Sequence, residues 1–327
     1  MGSLRQVETL TFRDWWHLLS RYTSVIESSD AIRTALRIMA HRGFRHLPVV
    51  SEGKLVGIVS AGDLIDILAS YGERGTILGS SLNVRVSTLT NDNPVTVSPD
   101  HTILDAIRVV AQKNIGSLLI VEGEDALDTR ENLNLSANSM MHEKKLYGKL
   151  LGIVTLRDIV SVLAAYSPFG VRIEDCMTPS VSTINEKDSI LSAIGLMSKE
   201  RVRRLPVVTP RNNGEGDISV HGMITNKMIL RYMESILSYG MLDIGNAINQ
   251  PVKTVMQSPM PLIDPKEDCG NAAYLMRELG TGGFAVVDSR GLVGVITERD
   301  LIRRIYEREG ASFFSELFEK GNARMLA

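Results

Sequence analysis

The chain contains the same short pattern four times. The pattern is a glycine, two aliphatic residues, a serine or threonine, two variable residues and, in most copies, an aspartate before an aliphatic residue. A strand-like apolar run precedes each copy, and a helical stretch centred on an alanine lies further upstream. The copies read GIVSAGDL (57–64), GIVTLRDI (152–159), GMITNKMI (222–229) and GVITERDL (294–301), with the alanines at 35, 106, 193 and 272. Three elements in one order, four times over, predict four copies of a single supersecondary unit.

The copies differ in the distance from the helix alanine to the pattern glycine. That distance is about 22 residues in the first and fourth copies. The third copy is longer by about seven residues, within Pro210–Asp217, and the second by about 24, within Glu122–Lys149. Both insertions fall between two predicted strands, where a hairpin tip absorbs extra residues at little cost. The insertion at 122–149 is rich in Asn, Ser, Glu and Lys, which predicts a mobile loop.

The local pattern of each copy predicts the element order β-α-β-β-α, and this order indicates an α/β (α+β) fold. In the second copy, Val95–Val97 forms a short apolar run, and Ser98 and Pro99 resemble the N-cap and first residue of a helix. Because a unit of about 60 residues cannot bury both faces of its sheet, we expect repeats one and two, and three and four, to pair. The expected domains are an N-terminal segment (1–15), four repeats (16–75, 84–167, 171–239 and 248–308) and a helical tail (309–327).

Composition narrows the expected partners. The formal net charge of −2 gives no electrostatic reason to expect nucleic acid or an anionic membrane as the main partner. The N-terminal residues lack an apolar signal region, and no apolar run approaches the roughly 18 residues that span a bilayer. Cys176 and Cys269 fit no metal-ligand spacing and are expected to be reduced. We therefore expect a cytoplasmic protein without a metal site.

The repeats resemble CBS domains (the cystathionine-β-synthase type), which occur in pairs called Bateman modules. Besides the four patterns, the resemblance rests on the opening segments Asp175–Pro179 (DCMTP) and Val255–Pro259 (VMQSP), and it covers about Trp16 to Arg308. Four copies without another domain are similar to the γ subunits of AMP-activated protein kinase and their stand-alone archaeal relatives. The resemblance implies two Bateman modules in a flat disc, with adenine nucleotides in the clefts between paired repeats.

The Ser/Thr-x-x-Asp part of the pattern suggests where a nucleotide would bind. A hydroxyl and backbone N–H groups at a helix start face an anion, and the aspartate can accept hydrogen bonds from both hydroxyls of a ribose. The same residues also form a capping box, which needs no ligand. The third copy has Thr225 but Met228 in place of the aspartate, so we expect its cleft to be empty or to bind differently. The other copies supply the pairs Ser60 with Asp63, Thr155 with Asp158 and Thr297 with Asp300.

The family resemblance also implies phosphate-binding cations before the second strand of a repeat. Basic residues stand there in the odd repeats, whereas the even repeats have Gly116-Ser117 and Gly282-Gly283. We therefore expect a division of labour, in which even repeats bind ribose and odd repeats bind phosphate. The predicted cations are Arg45, His46, Arg203 and Arg204, with Arg157 and Arg299 adding charge from the even motifs. Val97, Ile263 and Ile26 are candidates for the base pocket or equally for the core.

We expect a regulatory protein that binds AMP, ADP or ATP and changes the activity of an unidentified protein partner. No nucleophile–base constellation or phosphate-binding loop is visible, so neither an enzyme nor a catalytic cofactor is expected. The alternatives are a structural adaptor with vestigial sites, a protein that binds another adenosyl ligand such as S-adenosylmethionine, and a nucleic-acid-binding regulator. Four repeats in one chain are compatible with a monomer or a homodimer.

Overall fold

The computed structural model describes residues 10–14, 24–74, 82–123, 148–210, 218–238 and 244–326. The first two repeats each contain three strands and two main helices. The first has β1 (Ile26–Glu27), α1 (Ile32–Arg42), β2 (His46–Ser51), β3 (Lys54–Ser60) and α2 (Ala61–Arg74). The second has β4 (Thr96–Val97), α3 (Ile103–Lys113), β5 (Ser117–Glu122), β6 (Lys149–Thr155) and α4 (Leu156–Leu163), and short 3₁₀ turns lie at Val86–Thr88 and Ala164–Tyr166.

The last two repeats have the same elements with short additions. The third has α5 (Ile173–Cys176), β7 (Thr178–Pro179), β8 (Ile184–Asn185), α6 (Ile190–Glu200), β9 (Arg204–Pro210), β10 (Ile218–Thr225) and α7 (Asn226–Ser238). The fourth has α8 (Ile244–Ile248), a 3₁₀ turn (Val252–Thr254), β11 (Leu262–Ile263), α9 (Cys269–Glu278), β12 (Gly283–Asp288), β13 (Gly291–Thr297) and α10 (Glu298–Glu309). The chain continues into α11 (Ser312–Leu326).

The four sheets share one topology. In each, the first strand pairs in parallel with the second, and the second pairs antiparallel with the third, giving the orders β1-β2-β3, β4-β5-β6, β8-β9-β10 and β11-β12-β13. Strand β7 joins the free edge of β13. The predicted β-α-β-β-α unit and mixed α+β fold are confirmed. Both predicted insertions follow hairpin strands, but residues 124–147 and 211–217, including most of the predicted loop, lie outside the described residues.

The opening segment of each repeat contacts the neighbouring repeat of its pair. In all four cases an isolated backbone bridge joins the opening segment to the N-cap of the neighbour's first long helix. The bridges are Thr11 with Thr102, Arg85 with Ala31, Arg172 with Asp268, and Pro251 with Ser189. Repeats one and two therefore exchange these segments reciprocally, as do repeats three and four, which is the pairing that the sequence predicts.

The pattern glycines make room for these opening segments. A Cβ atom at Gly57 would clash with the carbonyl oxygen of Asn91, which bonds the backbone of Ile58 from the second repeat's opening segment. The equivalent atoms at Gly222 and Gly294 would lie 2.5 Å and 2.6 Å from carbonyl oxygens of Gln257 and Thr178. Contacts this short exclude a side chain, so these glycines belong to the pairing interface.

The helices bring the two pairs together. One core joins repeats one and three, where α1 packs on α7 and α2 on α6, and the other joins repeats two and four, where α3 packs on α10 and α4 on α9. The sheets contribute smaller apolar contacts within the pairs, such as Leu55 with Leu119 and Met223 with Ala285. The core of each repeat therefore packs on two others. The starts of the second strands lie close together, since Gly116 is beside His46 and Arg203, and Gly282 and Gly283 are beside Arg204. This shared region is called the junction below.

The C-terminal helix α11 packs on the connection between the second and third repeats. Phe314 and Phe318 are fully buried, and the Phe318 ring meets Tyr166 edge-on with ring centroids 4.9 Å apart. Phe169, in the same connection, contacts Phe313. Within the described ranges, no helix is both long enough and apolar enough to cross a membrane.

Candidate functional site

The Ser/Thr–Asp pairs cap the second helices of three repeats. Asp158 Oδ2 accepts hydrogen bonds from the Thr155 backbone N–H at 2.8 Å and from its hydroxyl at 2.7 Å. Asp300 Oδ2 makes the same two bonds with Thr297, and Asp63 Oδ2 accepts from the Ser60 backbone N–H. One carboxylate oxygen of each pair is therefore committed to capping, and any ligand must use the other.

The second oxygens have different surroundings. Asp300 Oδ1 already accepts from the Thr178 hydroxyl at 3.0 Å and from Arg304 Nε at 3.3 Å. Asp158 Oδ1 and Asp63 Oδ1 accept no hydrogen bond from the described residues. In the third repeat Thr225 still accepts from the Met228 N–H, at 3.3 Å, but no carboxylate is present. Asp158 and Asp63 are therefore the better placed acceptors for two ligand hydroxyls.

Asp158 lines a partly open cavity of about 200 Å³ between the first two repeats. Its lining brings together five of the predicted site residues, which come from both repeats of the pair. They are Arg45 and His46 from the first repeat, and Thr155, Arg157 and Asp158 from the second. The remaining lining residues are Ser24, Arg42, Gly43, Phe44 and Ile153. A carboxylate, a hydroxyl and guanidinium groups thus face one space at the start of α4.

The protonation of this cavity depends on burial. Burial raises the pKa of Asp158, against the hydrogen bonds from Thr155 that favour its ionised form. Burial also lowers the pKa of His46 well below its ordinary value, and the nearby charges of Arg203, Arg45 and Arg299 lower it further. His46 is therefore neutral at pH 7, and the positive charge of the cavity comes from arginines.

The glycines of the even repeats leave space for the basic side chains of the odd repeats. A Cβ atom at Gly116 would lie 3.1 Å from His46 Nε2 and 3.2 Å from Arg203 Nη1. A Cβ atom at Gly282 would lie 2.7 Å from Arg204 Nη2, and one at Gly283 would lie 2.7 Å from Arg204 Nη1. All four predicted odd-repeat cations therefore meet at the junction, although two of them, Arg203 and Arg45, also contact repeats outside their own pair.

The junction is strongly positive. Burial and the charges of neighbouring arginines, Arg45 among them, together lower the pKa of both Arg203 and Arg204 to about 10, although the charge of Glu298 raises it in part. Lys227, at the start of α7, lies within the same field, and its pKa is lowered by burial and by neighbouring arginines including Arg231. Such mutual repulsion between buried cations favours the binding of an anion.

The predicted Arg299 has a hydrogen-bond partner at the end of another helix, although its charge still lowers the pKa values of His46 and Arg203 at the junction. Its guanidinium donates to the backbone oxygen of Asn114 at 2.7 Å and to the side-chain oxygen of the same residue, at the C-terminal end of α3. The three base-pocket candidates are also placed apart from the cavity. Val97, Ile263 and Ile26 are 0%, 6% and 2% exposed, and they pack into the two helix-side cores. Their positions agree with the core alternative.

Glu298 is a site residue that the sequence analysis did not identify. It is the first residue of α10, its side chain is only 4% exposed, and it pairs with Arg45 at 2.5 Å and with Arg157 at 3.2 Å. Glu298 occupies a variable position of the pattern, where the other copies have Ala61, Leu156 and Asn226. The signal that could have identified it is a charge at a position that is neutral in the other three copies.

A second cavity, of about 430 Å³, lies where α2 of the first repeat meets the third repeat. It contains the remaining predicted acceptor, Asp63, together with the predicted cation Arg203. Asn226 also lines it, and the side-chain oxygen of Asn226 is buried without a hydrogen-bond partner. Burial raises the pKa of Asp63. Across the described part of the chain, no group of His, Cys, Asp and Glu residues is arranged to hold a metal ion.

Comparison with known proteins identifies the family. A sequence model of the CBS domain matches four segments, residues 19–70, 86–127, 173–235 and 252–307, which together make up more than half of the chain. The chain therefore belongs to the CBS-domain family, with four CBS repeats.

Two relatives span most of the chain. An uncharacterized 33.4 kDa protein from a ribosomal RNA operon of Thermofilum pendens is 27% identical over 303 residues, covering 89% of this chain and 90% of its own. The protein MJ1225 of Methanocaldococcus jannaschii is 24% identical over 84% of this chain and 92% of its own. The crystal structure of MJ1225, a proposed archaeal homologue of g-AMPK, superposes with a TM-score of 0.71 over 88% of this chain and 98% of its own.

An enzyme is matched only in part. Inosine-5'-monophosphate dehydrogenase of Methanocaldococcus jannaschii is 29% identical over 133 residues, which cover 41% of this chain and 21% of the dehydrogenase. Most of the dehydrogenase therefore has no counterpart in that match.

Proposed function

We propose that this protein is a regulatory module that binds an adenine nucleotide in the cavity between its first two repeats. The observation that supports this most directly is that Asp158, whose Oδ1 accepts no hydrogen bond from the described residues, lines the same cavity as Arg45 and Arg157. A carboxylate oxygen of this kind can accept the two hydroxyls of a ribose, and guanidiniums bind phosphate. The base is proposed to be adenine because the CBS-domain resemblance implies adenine nucleotides in such clefts.

The orientation of the ligand follows from the helix geometry. Phosphate groups would lie toward the junction, where the start of α4 and the arginines of several repeats offer positive charge. The ribose would lie at Asp158 Oδ1. The cavity is partly open and smaller than the roughly 300 Å³ typical of small-molecule pockets, so a whole nucleotide extends beyond it unless the repeats shift. A ligand that favours one arrangement of the repeats can regulate a partner in this way.

The four clefts are not equivalent in this proposal. The Asp158 cleft is the primary site, because Asp158, which has an oxygen without a partner among the described residues, lines one cavity with Arg45 and Arg157. The Asp300 cleft is weaker, because Thr178 and Arg304 already occupy the second oxygen of Asp300. The cleft of the third repeat is empty or binds differently, because Met228 replaces the aspartate. The protein acts without catalysis, in the cytoplasm, as a monomer or a homodimer, and its protein partner is unidentified.

Thermal unfolding of the purified protein with AMP, ADP, ATP and S-adenosylmethionine tests the proposal. A ligand at a hundred times its dissociation constant adds about 2.7 kcal/mol of stability, which raises the midpoint by a few degrees. We expect a shift with the three nucleotides. If none of the three nucleotides shifts the midpoint, the proposal is contradicted and the structural-adaptor alternative is favoured. A shift with S-adenosylmethionine alone favours the other adenosyl ligands.

Asp158→Asn locates the site. We expect it to weaken nucleotide binding by about 1.5–3 kcal/mol, because it removes a charged acceptor. Asp105→Asn is the matched control, since Asp105 closes an equivalent capping box with Thr102 on α3, away from the cavity. Both variants lose a charged cap, but only the first should lose affinity in a calorimetric titration. Equal affinities for both variants and the wild type would show that Asp158 is a helix cap alone.

A further inference from the structure

Glu298 places a buried carboxylate from the fourth repeat against cations of the first two repeats. Its Oε2 lies 2.5 Å from Arg45 Nη2 and its Oε1 lies 3.2 Å from Arg157 Nε. Arg204 of the third repeat is adjacent, because a Cβ atom at Gly282 would approach both Arg204 Nη2 and the Glu298 carboxylate. Glu298 is thus in contact with, or close to, cations of the three other repeats.

The environment keeps Glu298 ionised. Burial alone would raise the pKa of this carboxyl, but the charges of Arg45 and Arg157 outweigh burial and hold the pKa below its ordinary value. Arg204 acts in the same direction. The carboxylate therefore carries its full charge at neutral pH and offsets part of the repulsion among the arginines of the junction.

The two arginines that hold Glu298 also line the cavity beside Asp158. A guanidinium binds carboxylate and phosphate through the same planar array of donors, so the two anions compete for it. A phosphate that enters the cavity must take over Arg45 and Arg157, at least in part, from Glu298. The arrangement is that of an anion site in which the chain itself supplies one anion.

We propose that Glu298 is an internal competitor of phosphate, and that it determines the specificity of the cavity by the charge of the ligand. The inference rests on the proposed function, since it concerns the same cavity. Ligands with more phosphate charge displace the carboxylate more effectively, and an adenosyl ligand without phosphate leaves it in place. Because Glu298 is the first residue of α10, its displacement acts on the helix that packs on α3 and carries Asp300.

Calorimetric titration of the wild type and Glu298→Gln with adenosine, AMP, ATP and inorganic tripolyphosphate tests this proposal. We expect Glu298→Gln to bind ATP and tripolyphosphate about tenfold or more tightly than the wild type, as the loss of a close competing charge implies. The gain should be smaller for AMP and absent for adenosine. Glu307→Gln is the matched control, because it removes an exposed carboxylate that pairs with Arg303 on the same helix. We expect no change in that variant.

Unchanged or weaker binding of ATP and tripolyphosphate by Glu298→Gln would overturn the proposal and make Glu298 a positioning residue for the two guanidiniums. So would an equal gain for adenosine, which carries no phosphate. If the Gln variant does not fold, Glu298→Asp retains the charge with a shorter side chain that cannot reach both arginines equally well. It should bind tripolyphosphate more tightly by a smaller factor, and weaker binding would again contradict the proposal.

The two proposals fail in different ways. If the wild type binds no adenine nucleotide, the proposed function fails, whereas tighter tripolyphosphate binding by Glu298→Gln still supports competition at the arginines. If the wild type binds nucleotides but Glu298→Gln binds ATP and tripolyphosphate no more tightly, only the proposal that Glu298 competes with phosphate fails.

Discussion

At the scale of single residues, the three pattern aspartates all cap a helix with one carboxylate oxygen. They differ in the surroundings of the second oxygen, Oδ1. Asp158 is the clearest case, because burial raises its pKa and the residue lines a cavity. A ribose binds the ionised carboxylate best, so we expect the affinity for adenosine to fall as the pH falls through this raised pKa. The loss should begin at a higher pH than an ordinary aspartate would give.

The stability of the protein should change with the opposite sign. An acid whose pKa is raised by folding destabilises the folded state when it is ionised, so lowering the pH through that pKa relieves the cost of Asp158. Adenosine is the suitable probe, because it has no phosphate to titrate. The affinity for adenosine is measured by titration across the acidic range in the wild type and in Asp158→Asn, which keeps the neighbouring His46. The free energy of unfolding of both proteins is measured over the same range. The same pH dependence in both proteins would assign it to another group.

The sequence predicted part of this site. The aspartates were predicted because the pattern recurs in the aligned copies, and the odd-repeat cations were predicted from what the family resemblance implies about the residues before the second strand. Glu298 was missed because it occupies a variable position, and its role depends on Arg45, 253 residues away in the chain. Arg299 was predicted to add phosphate charge; its guanidinium bonds Asn114, while its charge acts on His46 and Arg203. The partner of a long side chain is not set by its position in a pattern.

At the scale of elements, the strands and their pairing were predictable, whereas the packing of the helices was not. The β-α-β-β-α order follows from apolar runs and turn residues, and the need to cover each sheet predicts the pairs. The apolar faces of α1, α2, α6 and α7 resemble those of α3, α4, α9 and α10, so nothing local indicates that repeat one packs on repeat three. Which helices pack together depends on the arrangement of all four repeats.

The contact between β3 and the second repeat's opening segment gives a prediction at this scale. Gly57→Ala places a methyl group against the Asn91 carbonyl, a backbone atom that cannot move alone, and we expect a loss of about 1–3 kcal/mol in the free energy of unfolding. Gly195→Ala, in the middle of α6 with nothing within 4 Å of its new methyl group, should instead stabilise the protein by about 0.5–1 kcal/mol. Urea unfolding measures both, and equal effects would contradict the account of the pattern glycine.

At the scale of the whole molecule, the arrangement links one cavity to all four repeats. Sheet contacts and exchanged opening segments hold repeats one with two and three with four, while helices hold one with three and two with four. The junction contains Arg45 from the first repeat, Arg157 from the second, Arg204 from the third and Glu298 from the fourth. A phosphate bound there therefore changes contacts among all four repeats, which is what a regulatory ligand requires.

A crystal structure of the protein with AMP tests this central claim most directly. We predict that the ribose hydroxyls bond Asp158 Oδ1, that the phosphate contacts Arg45 and Arg157, and that the Glu298 carboxylate moves away from at least one of these arginines. AMP bound outside this cavity, or bound within it with the ribose away from Asp158, would contradict the account.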